Sequence, residues 1–288
     1  MSSTRKIKVI KKDKKLNIFL PCKFTENYVR YEYFYIDTKS DNMHQWRVLG
    51  IAIANPDFTD KFIINPSNEW EGAIKEVGAT DFIGGYHGDE TNTAISFMAD
   101  NFMLDSNSDF EIECDYFKAT AESLLNRCDT PDDNVFKRLK VSEWGKHGYS
   151  VTNHFELLQD FEIERFENIM MGFNLVTKDG GRFITHAASN NHPVPVFVDL
   201  DPEITLKDPL FIPDKNAMSF EYFAPDFNFY AKVEGFFDNE RFPNGFRRFD
   251  EWRLVHDKVI KGYFNMTGRH SGKKGEIFDS KSIFTIEA

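Results

Sequence analysis

Residues Asn27 to Ile53 read NYVRYEYFYIDTKSDNMHQWRVLGIAI, and their periodicity decides the fold class. Tyr31, Tyr33 and Tyr35 fall on one side of an extended chain, with Glu32 and Phe34 on the other. The residues Thr38 to Asn42 supply a turn, and a second extended run follows from Trp46 to Ala54. Comparable runs occur at 94–98, 110–117, 135–141, 149–158, 173–177, 182–186, 217–223, 227–233, 254–264 and 283–286, parted by Gly, Asn, Asp and Pro. Helical patterns are few. EWEGAIKEV (69–77) has Ser67 or Asn68 as N-cap and Gly78 just past its end. TAESLLNR (120–127) is a second, and DFEIERFENIMM (160–171) fits helix or strand equally. Short, closely spaced strands with minor helices predict an all-β protein: an antiparallel two-sheet β-sandwich, jelly-roll or concanavalin-like, with a few short helices.

Composition supports that reading. The 288 residues are 41% hydrophobic and 15% aromatic, which provides for a core and excludes global disorder. Thirty Phe residues suit pleated, half-buried surfaces. No run of 18 apolar residues exists, so no transmembrane helix is expected and no membrane partner. The first twenty residues lack the apolar segment of a secretory signal, which predicts a cytoplasmic or virion-associated protein. Cys22, Cys114 and Cys128 are odd in number and irregularly spaced, so reduced thiols are expected, not disulfides or a zinc ribbon.

Charge is segregated. The net charge is −11, yet the first 23 residues hold eight Lys and Arg against a single acid, Asp13. The remainder is more acidic still and should repel nucleic acid. The organisation predicted is a basic N-terminal arm or edge strand over 1–25 and a single β-sandwich domain over 26–288. No period of 20–50 residues repeats. The Pro-rich stretch from His192 to Pro213 reads as a surface loop within that domain.

The densest polar cluster is Asp81-Phe-Ile-Gly-Gly-Tyr-His-Gly-Asp-Glu90. Its glycines let the backbone turn sharply and approach a ligand, while Tyr86, His87, Asp89 and Glu90 supply a phenol, an imidazole and two carboxylates. Three further clusters follow. One is the strand pair Asn153 and His154, which face opposite ways. A second is Arg182 with His186. The third is Trp252, Arg253, His256, Asp257, Lys261 and Tyr263, with the odd positions sharing a face if the segment is one strand. There is no P-loop, dinucleotide glycine fingerprint, Gly-x-Ser-x-Gly elbow or His-Glu-x-x-His helix. Asp105 to Asp109 imitates a calcium loop but has Phe110 where Gly is needed and Tyr116 where Glu is needed. No metal and no cofactor are expected.

The Asp81–Glu90 run, the strand Val151-Thr-Asn153-His154, and the pattern from Tyr263-Phe-Asn through Gly275-Glu-Ile-Phe-Asp-Ser to Ile286 resemble jelly-roll polysaccharide-active proteins. These include polysaccharide lyases and phage tail-associated depolymerase or receptor-binding modules, and the likeness spans most of the chain after about residue 30. It implies β-elimination across a uronic acid. His87 or His154 would take the C5 proton, since imidazole changes charge nearest neutral pH. Tyr86 or Tyr263 would protonate the leaving oxygen, and Asn153 or Arg182 would neutralise the uronate carboxylate. Asp89, Glu90, Arg182, His186, Trp252 and Arg253 would contact the polysaccharide, the partner expected alongside virion or homo-oligomer contacts. One alternative is a glycoside hydrolase pairing Glu90 with Glu156 or Glu251, which needs carboxylates roughly 5–10 Å apart. Another is a non-catalytic glycan-binding or phage tail module that stacks sugars on Trp46, Trp70, Trp144 or Trp252.

Overall fold

The computed structural model describes residues 5–65, 72–205, 207–213, 217–238, 246–248, 250–255 and 258–288. They form an all-β protein, with a 16-stranded sheet and a 5-stranded sheet among the described residues. The predicted alternation is realised in strand Tyr28–Thr38, where Tyr31 and Tyr33 are fully buried. Strand Met43–Ala54 pairs with it, as expected from the intervening turn.

The large sheet curls on itself. Five strand spacings separate Tyr28–Thr38 from Gly148–Leu157 in sheet order, about 24 Å were the sheet flat. Yet the rings of Tyr31 and Tyr149 lie 5.2 Å apart, so the strands have closed around a common interior. Aromatic stacking fills it: Tyr33 on Trp46 at 5.7 Å, Trp144 on Tyr149 at 4.8 Å, and Tyr149 on Phe284 at 5.2 Å. Each such pair adds about 0.5–1.5 kcal/mol beyond the area it buries. The small sheet, built on Phe161–Asn174 and Val259–Gly272, covers another part of the interior. Its Phe173 packs on Tyr222 at 4.1 Å and its Phe264 on Phe220 at 4.7 Å.

One junction in the large sheet has a different character. Met43 and His44 pair with Glu90 and Thr91 in parallel, whereas the other described strand pairs are antiparallel. Beyond this two-residue contact the strands Met43–Ala54 and Glu90–Ala99 diverge, which strips the next backbone groups of ladder partners. Side chains replace them: Asn92 Oδ1 accepts from the Trp46 amide at 2.5 Å, and Lys140 Nζ donates to the Trp46 carbonyl at 2.8 Å.

The basic N-terminal segment forms strands Ile7–Lys12 and Lys15–Pro21 of the large sheet. Its charges meet acids on neighbouring strands, Lys8 with Glu111 at 2.6 Å, Lys14 with Asp37 at 3.9 Å, and Lys15 with Glu32. Among the described residues no helix is long and apolar enough to cross a membrane.

Several local expectations are corrected. The helix expected over 120–127 is part of strand Phe117–Arg127, because Phe117, Ala119, Ala121, Ser123 and Leu125 all face inward at a period of two and burial outweighs helix propensity. Of the helix expected over 69–77, Ala73–Glu76 is a strand paired with the small sheet, and the N-cap positions lie outside the described residues. The ambiguous stretch 160–171 is strand, within Phe161–Asn174. Residues 182–186 are not a strand: only a bridge at Arg182 precedes strand His186–Ser189. The run 254–264 is a hairpin, not one strand, with Glu251–Val255 folded onto Val259–Gly272 and Arg253 opposite Lys261.

Candidate functional site

The Asp81–Glu90 segment forms a short 3-10 turn at Gly85–His87, held rigidly from below. Gln45 Nε2 donates to the Gly85 carbonyl at 2.7 Å, and the Gly85 amide donates to Glu90 Oε2 at 3.0 Å. Asp89 accepts from Asn42 Nδ2 at 3.1 Å and from the Asp129 amide at 3.2 Å, tying three loops together. Gly88 has φ +85°, and a Cβ there would sit 1.8 Å from the Asp41 carbonyl oxygen, so only glycine fits.

This scaffold displays two side chains. Tyr86 is 48% exposed, with the Arg47 guanidinium 5.1 Å from its ring centre. His87 is partly exposed, its Nδ1 3.0 Å from Asp81 Oδ1 and its ring 5.0 Å from that of Phe82. With Nδ1 engaged by the carboxylate, Nε2 is the nitrogen available for proton transfer. The turn therefore carries an imidazole oriented by a carboxylate beside a phenol.

Beneath the turn runs a belt of polar residues on the inner face of the large sheet. Arg138 is fully buried, and its Nη1 donates to both Glu90 oxygens at 3.0 and 3.3 Å. Its Nε and Nη2 donate to Asn153 Oδ1 at 3.1 and 2.7 Å. Burial raises the Glu90 pKa, but Arg138 and Lys140, with bonds from the Gly85 amide and Ser123, outweigh it and hold the carboxyl below its usual range. Across the strands Ser123 stands opposite Arg138, and Lys140 opposite Asn153, which in turn faces Ser280. The belt divides the apolar interior into two clusters, one around Trp144 and one around Phe155.

Of the predicted site residues, the structure brings together Tyr86, His87, Asp89, Glu90 and Asn153, with Asp89 and Glu90 buried as staples of the turn. The others lie elsewhere. His154 points to the opposite face of its strand from Asn153 and meets Asp279 at 2.5 Å. Tyr263 is buried in the small sheet, opposite Glu251 and Met170. Arg182 donates to the Val198 carbonyl and lies over Phe197 at 5.4 Å, while His186 contacts Thr185 Oγ1 at 2.9 Å. Both belong to the region of strand His186–Ser189, seven strand spacings from Glu90–Ala99 in sheet order. Trp252 is packed against Phe220 at 4.2 Å and Tyr222 at 5.3 Å, out of reach of a ligand. The backbone of Arg253 pairs across the hairpin with Lys261, while His256 and Asp257 lie outside the described residues.

The carboxylate pairs considered for hydrolysis are not assembled: Glu156 shares the outward phase of His154, and Glu251 is bound to Arg165 at 2.6 Å in the small sheet. Trp46, Trp144 and Trp252 are core residues, and Trp70 lies outside the described residues. Sequence reasoning missed Gln45, Arg47, Arg138 and Lys140. One signal was present: Arg138, Lys140 and Ser142 alternate in phase with Phe136 and Trp144, polar side chains on an apolar face.

No family model and no curated protein matches this chain. Some solved structures are similar to it in overall shape. A galactose mutarotase-like protein from Clostridium acetobutylicum is 10% identical with a TM-score of 0.45, over 99% of each chain. The Slr1438 protein from Synechocystis sp. PCC 6803 is 8% identical with a TM-score of 0.40, over 99% of this chain and 98% of its own. A 4-alpha-glucanotransferase from Thermococcus litoralis is 8% identical with a TM-score of 0.35, over 98% of this chain and 40% of its own.

Proposed function

We propose that the chain is a carbohydrate-active protein that works by general acid–base catalysis at the Tyr86–His87 turn, eliminating across a uronate-containing polysaccharide. The observation that carries this reading is the 3.0 Å contact between Asp81 and His87 Nδ1 beside the half-exposed Tyr86, on a turn fixed from below. A sugar ring lays its apolar face on an aromatic while its hydroxyls seek carboxylate and imidazole partners, and this turn offers both within a few residues.

In the proposed reaction His87 Nε2 takes the C5 proton and the C5–H pair becomes the C4=C5 double bond. The C4–O bond breaks, and Tyr86 gives its hydroxyl proton to the departing oxygen. Water then returns a proton to Tyr86 and accepts that of His87. Arg47 beneath Tyr86 adds positive potential where the uronate charge accumulates. Hydrolysis by paired carboxylates is the weaker reading, because Glu90 is committed to Arg138, Glu156 shares the outward phase of His154 and Glu251 is bound to Arg165.

The test is incubation with pectate, alginate and glycosaminoglycans, read as near-ultraviolet absorbance of the unsaturated product and as new reducing ends. Absorbance lost in His87→Ala, with folding retained, supports the reading. Reducing ends without absorbance would point to hydrolysis, and neither product would remove the catalytic claim.

A further inference from the structure

A cleft lies at the other end of the curled sheet. The strand Phe117–Arg127 runs between this cleft and the Tyr86–His87 turn, with Leu125 paired to Glu90 near its end and its first residue next to Tyr116, about 33 Å away. There the loop after Pro21, the hairpin at Lys146–His147 and the end of strand Ile277–Glu287 enclose a cleft of about 1290 Å³. That volume accommodates a ligand of several sugar units.

Three features of the cleft converge. First, its rim is braced. The Lys23 amide donates to Glu287 Oε2 at 2.6 Å, Asn27 Nδ2 donates to the Ala288 carbonyl at 3.0 Å, and Arg5 donates to the carbonyls of Cys22, Thr25 and Asn27. Second, this braced loop presents the Phe24 ring, 85% exposed, at the cleft wall. Third, the cleft contains a polar triad: Tyr116 donates its hydroxyl to Glu143 Oε1, and Ser150 donates to Glu143 Oε2 at 3.5 Å. Burial, then Glu143, pushes the Tyr116 phenol well above its ordinary range, so it remains a donor at any physiological pH.

The charged lining is balanced, four acidic side chains against four basic, in a chain of net charge −11. A neutral cleft on an acidic protein favours neither an anion nor a cation. An exposed aromatic beside a hydroxyl–carboxylate–hydroxyl array is the chemistry that recognises a neutral, hydroxylated ring. We infer that the cleft between Phe24 and Glu143 is a binding site for a neutral saccharide, separate from the Tyr86–His87 turn and without a catalytic role. This inference does not depend on the elimination reaction.

The test is titration calorimetry of the full chain with malto-, cello-, xylo- and galacto-oligosaccharides. At least one should bind, Phe24→Ala and Glu143→Gln should each weaken it at least tenfold, and His87→Ala should leave it unchanged. Phe24 is exposed, so its variant keeps the fold, and circular dichroism checks Glu143→Gln. No binding by the native chain at millimolar sugar, or equal binding by Phe24→Ala, overturns the inference. Loss of binding in His87→Ala would place the sugar at the turn instead and overturn it too. Elimination activity, scored separately on uronate polymers, should survive Phe24→Ala.

Discussion

Arg138 and Glu90 face each other at 3.0 Å with neither side chain exposed to solvent. They join the strand Thr130–Gly145 to the turn that carries Tyr86 and His87, so the buried ion pair helps to position those two side chains. Two charges removed from water are tolerated only when their hydrogen bonds are met, and here the Gly85 amide and Asn153 meet several of them.

Breaking this pair from one side should be severe. Glu90→Gln or Arg138→Met should each lower stability by about 3–5 kcal/mol, because the surviving polar group keeps its burial and loses its partner. The double variant should be less destabilised than the two losses added. Urea denaturation of the four proteins measures this, and simple additivity would show that the pair is not coupled.

The same carboxylate sets an acid limit. The folded Glu90 pKa lies below its unfolded value, so folding gains stability above the unfolded value, near 4.3 for a glutamate, and loses it as pH falls through the folded value. Stability measured from pH 7 downward should fall more steeply for the native chain than for Glu90→Gln. Parallel curves would contradict the assignment.

Gly88→Ala should disrupt the turn. Its φ of +85° is strained for alanine, and the added Cβ would collide with the Asp41 backbone at 1.8 Å. A loss of at least about 2 kcal/mol is expected, read as a fall in Tm. Gly78→Ala is the control: its φ of +83° is similar but nothing lies within 4 Å, so about 1 kcal/mol or less is expected.

In the proposed reaction Asp81 acts through His87, which it contacts at 3.0 Å. Asp81→Asn should lower kcat by about 10²-fold on a cleaved polymer with little change in KM. A change in KM alone would make Asp81 a binding contact instead.

The thiols should differ in reactivity. Cys22 and Cys114 are buried, and burial and Asp100 push the Cys114 thiol up to about 12. Cys128 is partly exposed, although burial raises its thiol as well. A disulfide reagent at neutral pH should modify Cys128 first, with the other two reacting only on unfolding. Mass mapping of the labelled peptide checks the order.

Much of the strand content was legible because alternation is a local property. Tyr31 and Tyr33 announce their face within five residues. The failures have a common cause. TAESLLNR has helical propensity, and only its neighbours, Glu90–Ala99 on one side and Thr130–Gly145 on the other, make it a strand. The turn at Asp81–Glu90 was visible from its glycines, but the division of labour within it was not. Asp89 and Glu90 look as available as His87 in sequence, and become buried staples only because Asn42, Asp129 and Arg138 arrive from distant segments.

The sequence by itself determined that this chain builds sheets, where many of its turns fall, and which turn concentrates polar side chains, since period-two patterning and glycine placement act over a few residues. The curl that brings Tyr31 within 5.2 Å of Tyr149 was decided only in three dimensions, as were the burial of Arg138 against Glu90 and the cleft beside Phe24. The physical reason is that strand order and curvature come from the burial of many side chains at once, and no single stretch of chain encodes which strands will meet.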